Sequence, residues 1–583
     1  MVIYSMLEYQ TNLSPNTVKF TYAKHLDNIR PSICVEQTRY YPGDIDFIPP
    51  NFNVIPTEFG IEIKLDIPNN AKIYGLGEKV GFLNKSGQTL EMYNRDNFDH
   101  HEGMDPFYLS IPFFIICDGT NKTGIFIDNP CRQIFDFKNN KIKIYDNYID
   151  MYIINGDIKE ILYEYTALTG RTPIPPDFAL GFMQSRYSYA SEEEVLDIAY
   201  GFETCGIKLS AIFLDIDYME DFKVFTWNKK SFPDPARLIN KLKEKDIETI
   251  VIVDAGVCVT SKFYKKNKFK NIFCTHPTYL GKRIYKGSAW AKKIAYPDFS
   301  LRQTAKAWGH ELKEFKKLGI AGFWNDMNEP SDFNGKGIHP KCVSDDVSLA
   351  KYTFKENRNA YGYFMAKATY EQVGGFILTR SGYAGIQKYA AVWTGDNCSS
   401  WESLRLSIPM CINLGLSGVP FCGIDVGGFA GNATPELYAR WIQLGAFMPF
   451  YRAHSVIDSN PHEPWSFGIE VLNIAKKYIN YRQTILPYLK RCFVKSSKTG
   501  EPIMRPLFWD FEEDIECYKI EDEFMLGEKL LVAPILSPSV RKRMIYFPQG
   551  LWRDIQNWQN IISKGEYFIY DAPLDKIPVF ERL

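Results

Sequence analysis

Ile320-Ala321-Gly322-Phe323-Trp324-Asn325-Asp326-Met327-Asn328-Glu329-Pro330 is the stretch whose reading decides the fold. It begins apolar on both faces, which is the pattern of a strand buried in the middle of a sheet. It then stops abruptly at Asn325 and Asp326, and a proline follows four residues later. In an α/β fold a carboxylate at the carboxyl end of such a strand faces the side where ligands bind. The same pattern also fits a strand running into an ordinary polar loop. The neighbouring segments decide between the two.

Upstream, Ala179–Gln184 reads as a strand and is followed by a helix capped by Ser191, which opens on Glu192, Glu193 and Glu194. Leu209–Leu214 ends in Asp215-Ile216-Asp217, and Thr249–Val253 ends in Asp254. A helix near 300–317 leads into the Asp326 strand. Downstream, a helix near 356–373 leads into Gly375–Thr379, which ends at Arg380. Tyr389–Trp393 ends in Thr394-Gly395-Asp396, Gly418–Cys422 in Gly423-Ile424-Asp425, and Phe447–Phe450 in Tyr451-Arg452-Ala453-His454. Eight apolar strands, most of them separated by helices and nearly all ending in an acid, Arg or His, are expected to close into a TIM barrel over 169–498 with its site at the carboxyl-end mouth. A long connection, about 257–298, is expected to form an excursion over that mouth.

The flanks read differently. Residues 1–168 alternate or run β-branched and aromatic, as in Gly60–Ile67, Phe107–Ile116 and Lys141–Tyr145, which predicts a β-sandwich. A helical stretch ends near Ser497. Residues 499–583 then return to strands (Leu530–Pro534, Arg543–Phe547, Glu566–Tyr570), predicting a short C-terminal β domain. The overall class is α/β.

Composition narrows the function. Of 583 residues 45% are apolar, enough for a large core, and 15% are aromatic, including surfaces on which sugar rings stack. A formal net charge of −1 gives no pull towards nucleic acid or anionic membrane. The twelve cysteines are scattered without Cys-x-x-Cys spacing, and the eight histidines form no His/Cys cluster. The opening residues carry no basic n-region, and no run of about twenty apolar residues spans a membrane. The expectation is a cytoplasmic protein, with a homo-oligomer left open.

The expected mouth gathers acids and indoles with few cations, no Schiff-base lysine and no phosphate-cradling glycine loop. Such a surface suits a neutral polyhydroxylated ligand, because carboxylates accept hydrogen bonds from hydroxyls and indoles stack on C–H-rich faces. Glycoside hydrolysis needs two carboxyls and no cofactor. A divalent metal is the competing use of clustered acids, and tryptophans beside nearly every acid argue against it. No metal or cofactor is expected.

Phe323-Trp324-Asn325-Asp326-Met327-Asn328-Glu329-Pro330 resembles the signature of glycoside hydrolase family 31, the α-glucosidase and α-xylosidase family. Trp393-Thr394-Gly395-Asp396-Asn397 is similar to its acid/base motif. Asp215–Met219, Thr379–Ser381, Gly423–Phe429 and Arg452–His454 resemble further family marks, in order. Tyr74–Glu78 and Gly500–Pro506 resemble marks of its flanking domains. The resemblance implies a retaining mechanism with Asp326 as nucleophile and Asp396 as general acid/base, supported by Glu329. It further implies sugar contacts from Asp215, Arg380 and His454, and walls formed by Trp290, Trp324, Trp393 and Phe429, with Ile216 and Met327 nearby. Asp425 and Arg452 would orient and charge-balance the carboxylates, Asp254 would support them, and Asp96 would reach over from an N-domain loop. Two departures stand on segments that shape outer subsites. Trp290 precedes Ala291 where members often have Pro-Gly, and Asp254 precedes Ala255 rather than Pro.

Ile216-Asp217-Tyr218-Met219 resembles the glucoside-cleaving form. The expected activity is therefore an exo-acting α-glucosidase on short α-glucan oligosaccharides. An α-xylosidase or α-transglucosylase is the alternative within the family, and a catalytically inactive sugar-binding protein the alternative outside enzymes.

Overall fold

Two β-sheets stacked at the N-terminus are the first thing the chain builds. In a computed structural model, which describes residues 6–36, 40–119, 121–276, 283–333 and 354–583, a six-stranded antiparallel sheet packs on a five-stranded one. Phe114, Ile125, Ile142 and Ile144 lie in the buried layer between them. The expected strands appear as Gly60–Leu65, Ser110–Asp118 and Lys141–Ile144. Residues 158–169, partly expected as strand, are instead the helix Ile158–Thr169. Its cap makes it: the Asp157 side chain accepts from the Lys159 and Glu160 amides, and the Glu160 side chain returns to the Asp157 amide. Such a capping box is worth about 1 kcal/mol.

The eight parallel strands form a closed barrel: Met183–Arg186, Ala211–Leu214, Glu248–Asp254, Gly322–Asp326, Phe376–Thr379, Ala391–Trp393, Cys422–Val426 and Phe450–Ala453. Closure is made by Met183 and Gln184 pairing with Arg452 and Ala453. Ser191 caps the helix Glu192–Cys205 as expected, its hydroxyl accepting from the Glu194 amide, and Gly206 ends it at φ 63°.

Three strands sit later than the sequence suggested. Pro176 starts a short 3-10 turn over Asp177–Leu180, which delays the first strand to Met183. The seventh and eighth begin at Cys422 and Phe450, so Asp425 and Arg452 are strand residues and not loop residues. They are register partners and their side chains meet at 2.6 Å, both fully buried. A lone charge could not occupy that wall, whereas a paired one can.

The excursion after the third strand carries the small sheet Val257–Cys258, Lys292–Ala295 and Gly287–Ala289, and residues 277–282 of it lie outside the described residues. The helix Ile469–Thr499 crosses the opposite end of the barrel. From it the buried Arg482 donates to the Leu180, Ala446, Met448 and Pro449 carbonyls at 2.6–3.0 Å. One side chain thus ties the entrances of the first and eighth strands together. Beyond it, a six-stranded sheet and the two-stranded ribbon Lys542–Phe547/Glu566–Asp571 complete the chain.

Candidate active site

The fourth, fifth and sixth barrel strands end in Asp326, Arg380 and Asp396, and the middle one links the outer two. Arg380 Nε lies 2.9 Å from Asp326 Oδ1, and Nη1 lies 3.4 Å from Asp396 Oδ2. The two aspartates are therefore neighbours across a single guanidinium. Arg380 is itself fixed by Glu329, which takes Nε at 2.9 Å and Nη2 at 3.0 Å in a bidentate pair. Planar forks of this kind orient as well as attract. Glu329 is completely buried, and its carboxylate is occupied by Arg380 and by the Ser331 hydroxyl at 2.6 Å. Of the three expected acids it is the one that holds others in place.

Met327 follows Asp326 in the left-handed region, at φ 55°, which is strained for a residue with a side chain. That turn aims the Met327 amide back at Asp326 Oδ1, 2.6 Å away. Oδ1 is thereby held from two sides, while Oδ2 has no hydrogen-bond donor among the described residues. The Met327 sulfur also lies 3.1 Å from Arg380 Nη2. Asp96, on the N-domain loop, comes within 3.4 Å of Arg380 and accepts from Ser331 at 3.0 Å, so this expected loop residue does reach the barrel mouth.

Opposite lies a second group. His454 Nε2 is 3.6 Å from Asp215 Oδ2, and Trp324 stands edge-on to both His454 and Trp393, at 5.1 and 5.5 Å. Phe429 stacks on His454 at 5.0 Å. Ile216 is buried beside Asp215, its amide donating to Asp215 Oδ1 at 2.7 Å. Beneath them Arg452 is ringed by Trp324, Phe213 and Trp393 at 4.6–5.2 Å, with Asp425 as its carboxylate partner. Asp254 is the register partner of Asp326 on the adjacent strand. Trp290 stands apart from this set. It is 40% exposed on the rim, against Phe333 and Tyr187.

Burial sets the protonation states. It pushes Asp326 up to about 6, with Arg380 holding it down and Glu329 adding to the rise. Asp396 is pushed well above the usual carboxylate range by burial, against Arg380 and with the help of Asp326. Both aspartates are thus raised, Asp326 to about 6 and Asp396 well above the usual carboxylate range, an arrangement that suits one to act as a base and the other as an acid. Burial likewise raises Asp215 well above its ordinary value, Asp254 to about 8 and Asp425 to about 6. His454 falls well below its ordinary value through burial and the nearby Arg452, so it is neutral at pH 7. Its contact with Asp215 is consequently not an ion pair. Burial works against the Arg380 charge, yet the surrounding carboxylates carry its pKa well above the usual value.

Ser331, Tyr108 and Phe333 were not singled out in the sequence. Ser331 lies two residues past Glu329, and its amide donates to the Met327 carbonyl at 3.1 Å. Tyr108 sits at the start of an apolar run that reads as core, yet its ring lies 5.0 Å from the Arg380 guanidinium. Among the described residues no group of three or more His, Cys, Asp or Glu is arranged to hold a metal ion.

Three family models match in order along the chain: the glycosyl hydrolase 31 N-terminal galactose mutarotase-like domain over residues 13–136, the family 31 TIM-barrel domain over 172–491, and the family 31 C-terminal domain over 500–583. Alpha-glucosidase 2 of Bacillus thermoamyloliquefaciens is 44% identical over 527 residues, covering 87% of this chain and 66% of the relative. The alpha-glucosidase of Saccharolobus solfataricus is 34% identical, covering 90% and 79%. Mouse neutral alpha-glucosidase AB is 32% identical, covering 90% of this chain and 60% of its own, so the chain spans only part of these proteins. The glucose-bound family 31 dextranase of Flavobacterium johnsoniae superposes with a TM-score of 0.90 at 27% identity, over 99% of this chain and 78% of that one. With its barrel, both flanking domains and its acidic mouth matched in sequence order, the chain belongs to glycosyl hydrolase family 31.

Proposed function

We propose that the protein is a retaining, exo-acting α-glucosidase that releases α-glucose from the non-reducing ends of short α-glucans. The observation that carries this reading is the shared guanidinium of Arg380. It brings the Asp326 and Asp396 carboxyl groups side by side. A retaining glycosidase needs that pair, about 5–5.5 Å apart. The names of the Bacillus and Saccharolobus relatives support glucose as the sugar.

In the first step Asp326 Oδ2 attacks the anomeric carbon while Asp396 passes its proton to the glycosidic oxygen. The C1–O bond breaks, the shortened glucan leaves, and a β-glucosyl ester of Asp326 remains. Asp396, now a carboxylate, takes a proton from water, whose oxygen attacks C1. The ester breaks, α-glucose departs, and both aspartates return to their starting states. Arg380 offsets the negative charge that moves between them. Trp324, Trp393 and Phe429 enclose the sugar, and the buried Asp215 and neutral His454 accept from and donate to its hydroxyls. The depth of these groups favours a terminal glucose entering end-on.

Initial rates on p-nitrophenyl α-glucoside and α-xyloside, with the first-formed anomer followed by proton NMR, test this reading. Faster glucoside cleavage releasing α-glucose is expected. A faster xyloside would change the sugar, and β-glucose would refute retention. Comparing maltose with isomaltose resolves linkage, for which the likeness to a dextranase keeps α-1,6 bonds in view. The free cysteines, most of them buried, support a cytoplasmic place of work.

A further inference from the structure

Asp396 is approached from the N-terminal domain by a residue outside the site described so far. On the loop between the strands Thr89–Met92 and Ser110–Asp118, Asp99 holds the left-handed conformation at φ 68°, although it is neither glycine nor asparagine. Two hydrogen bonds account for it. The Asp99 amide donates to the Asp396 carbonyl at 3.0 Å, and the Asp99 carboxylate accepts from the Cys398 thiol at 2.7 Å. One residue thereby grips the Asp396-Asn397-Cys398 turn at both ends. The neighbouring Tyr108 hydroxyl accepts from the Asp396 amide at 3.4 Å, and its ring packs so closely on Gly395 that a Cβ there would come within 2.2 Å of it.

The far side of the turn is pinned separately. Asn397 donates to the Asp425 carbonyl at 3.1 Å and accepts from the Phe429 amide at 2.9 Å. That anchor comes from the barrel, whereas the Asp99 anchor comes from another domain. Asp396 is the first residue of the turn that both anchors hold, so the aim of its carboxyl group depends on both. A displacement of about 1 Å in a general acid is enough to cost much of its effect.

We propose that Asp99 is a positioning residue for the general acid/base, acting through its paired hydrogen bonds to the Asp396 carbonyl and the Cys398 thiol. This rests on the reading of Asp396 as that group. Through Asp99 the N-terminal domain completes the acid half of the site, as Asp96 on the same loop reaches the Arg380 half.

The test is kcat/KM, which reports the first bond-breaking step, across aryl α-glucosides of graded leaving-group pKa and α-glucosyl fluoride, which needs little proton donation. Asp99→Gly keeps the left-handed backbone and removes only the carboxylate. It and Cys398→Ala are each expected to lose about tenfold on the poorest leaving group and to stay within about twofold on the fluoride. The double variant should be no worse than either alone, since both remove one bond. Asp99→Asn, which tolerates the same backbone and retains an acceptor oxygen, should restore the wild-type slope. A parallel loss on every substrate, or no loss at all, would overturn the proposal. Asp396→Ala serves as the reference. If it fails to steepen the leaving-group dependence, the acid/base assignment is what fails. If it does and the Asp99 variants do not, only the positioning role fails.

Discussion

Asp254 and Asp326 are register partners at the carboxyl ends of adjacent barrel strands, two buried carboxyl groups at one height on the barrel wall. Like charges so placed in a dry site do not both ionise. Asp254 is the one that keeps its proton, pushed up to about 8 by burial and by Asp326.

That arrangement has a stability consequence. A carboxyl whose folded pKa lies above its unfolded value favours the fold when protonated. Its contribution is complete below the unfolded pKa of about 4 and is lost as pH rises through about 8. Asp254→Asn keeps the neutral shape without that loss. Calorimetry should find its Tm above wild type by a few degrees at pH 8, with the gain shrinking towards pH 5. A gain independent of pH would show that Asp254 is not the titrating group.

The catalytic pH profile follows from the two aspartates. On the proposed mechanism, activity needs Asp326 ionised and Asp396 protonated. kcat/KM should therefore rise with pH through about 6, where Asp326 loses its proton, and fall again at higher pH as Asp396 loses its own. Asp396→Ala should remove the basic limb and leave the acid limb, measured on an activated aryl glucoside.

Arg380 is predicted to be irreplaceable by lysine. A single ammonium cannot hold Glu329 in two places while reaching Asp326 and Asp396. Arg380→Lys should lower kcat/KM by at least about a hundredfold with a small change in Tm. Retention of most activity would mean that charge alone, without the fork, suffices.

Trp290 tests the outer rim. It is exposed and braced by Phe333 and Tyr187, and the proposal to test is that a second sugar stacks on its free face. Trp290→Ala should raise KM for maltotriose several-fold more than for p-nitrophenyl α-glucoside.

Arg482 concerns the scaffold alone. Its guanidinium satisfies four carbonyls at the closed end of the barrel. Arg482→Met leaves those carbonyls buried without donors, at a cost of on the order of 3 kcal/mol or more. A lower Tm with unchanged KM for the folded fraction is expected.

The barrel was legible because each strand is a short apolar run that stops at a charged residue, and Asp326, Arg380 and Asp396 stand at such stops. Their helices were legible through caps such as Ser191. The seventh and eighth strands were misplaced because Asp425 and Arg452 neutralise each other inside the wall, and local pattern carries no sign of a partner 27 residues away. Asp99, Tyr108 and Ser331 were invisible for the same reason, since their partners come from other domains or other turns. Glu329 was legible as an acid but not as the anchor of Arg380, a role fixed only by the geometry of the fork.

The central claim is that Asp326 becomes covalently bonded to C1 of the sugar. Incubation with 5-fluoro-α-glucosyl fluoride, whose ester hydrolyses slowly, followed by intact-mass and peptide mass spectrometry, tests it most directly. One fluoroglucosyl unit on the peptide bearing Asp326, absent in Asp326→Asn, is the predicted result. A label on another carboxylate, or steady turnover of the reagent with none trapped, would contradict it.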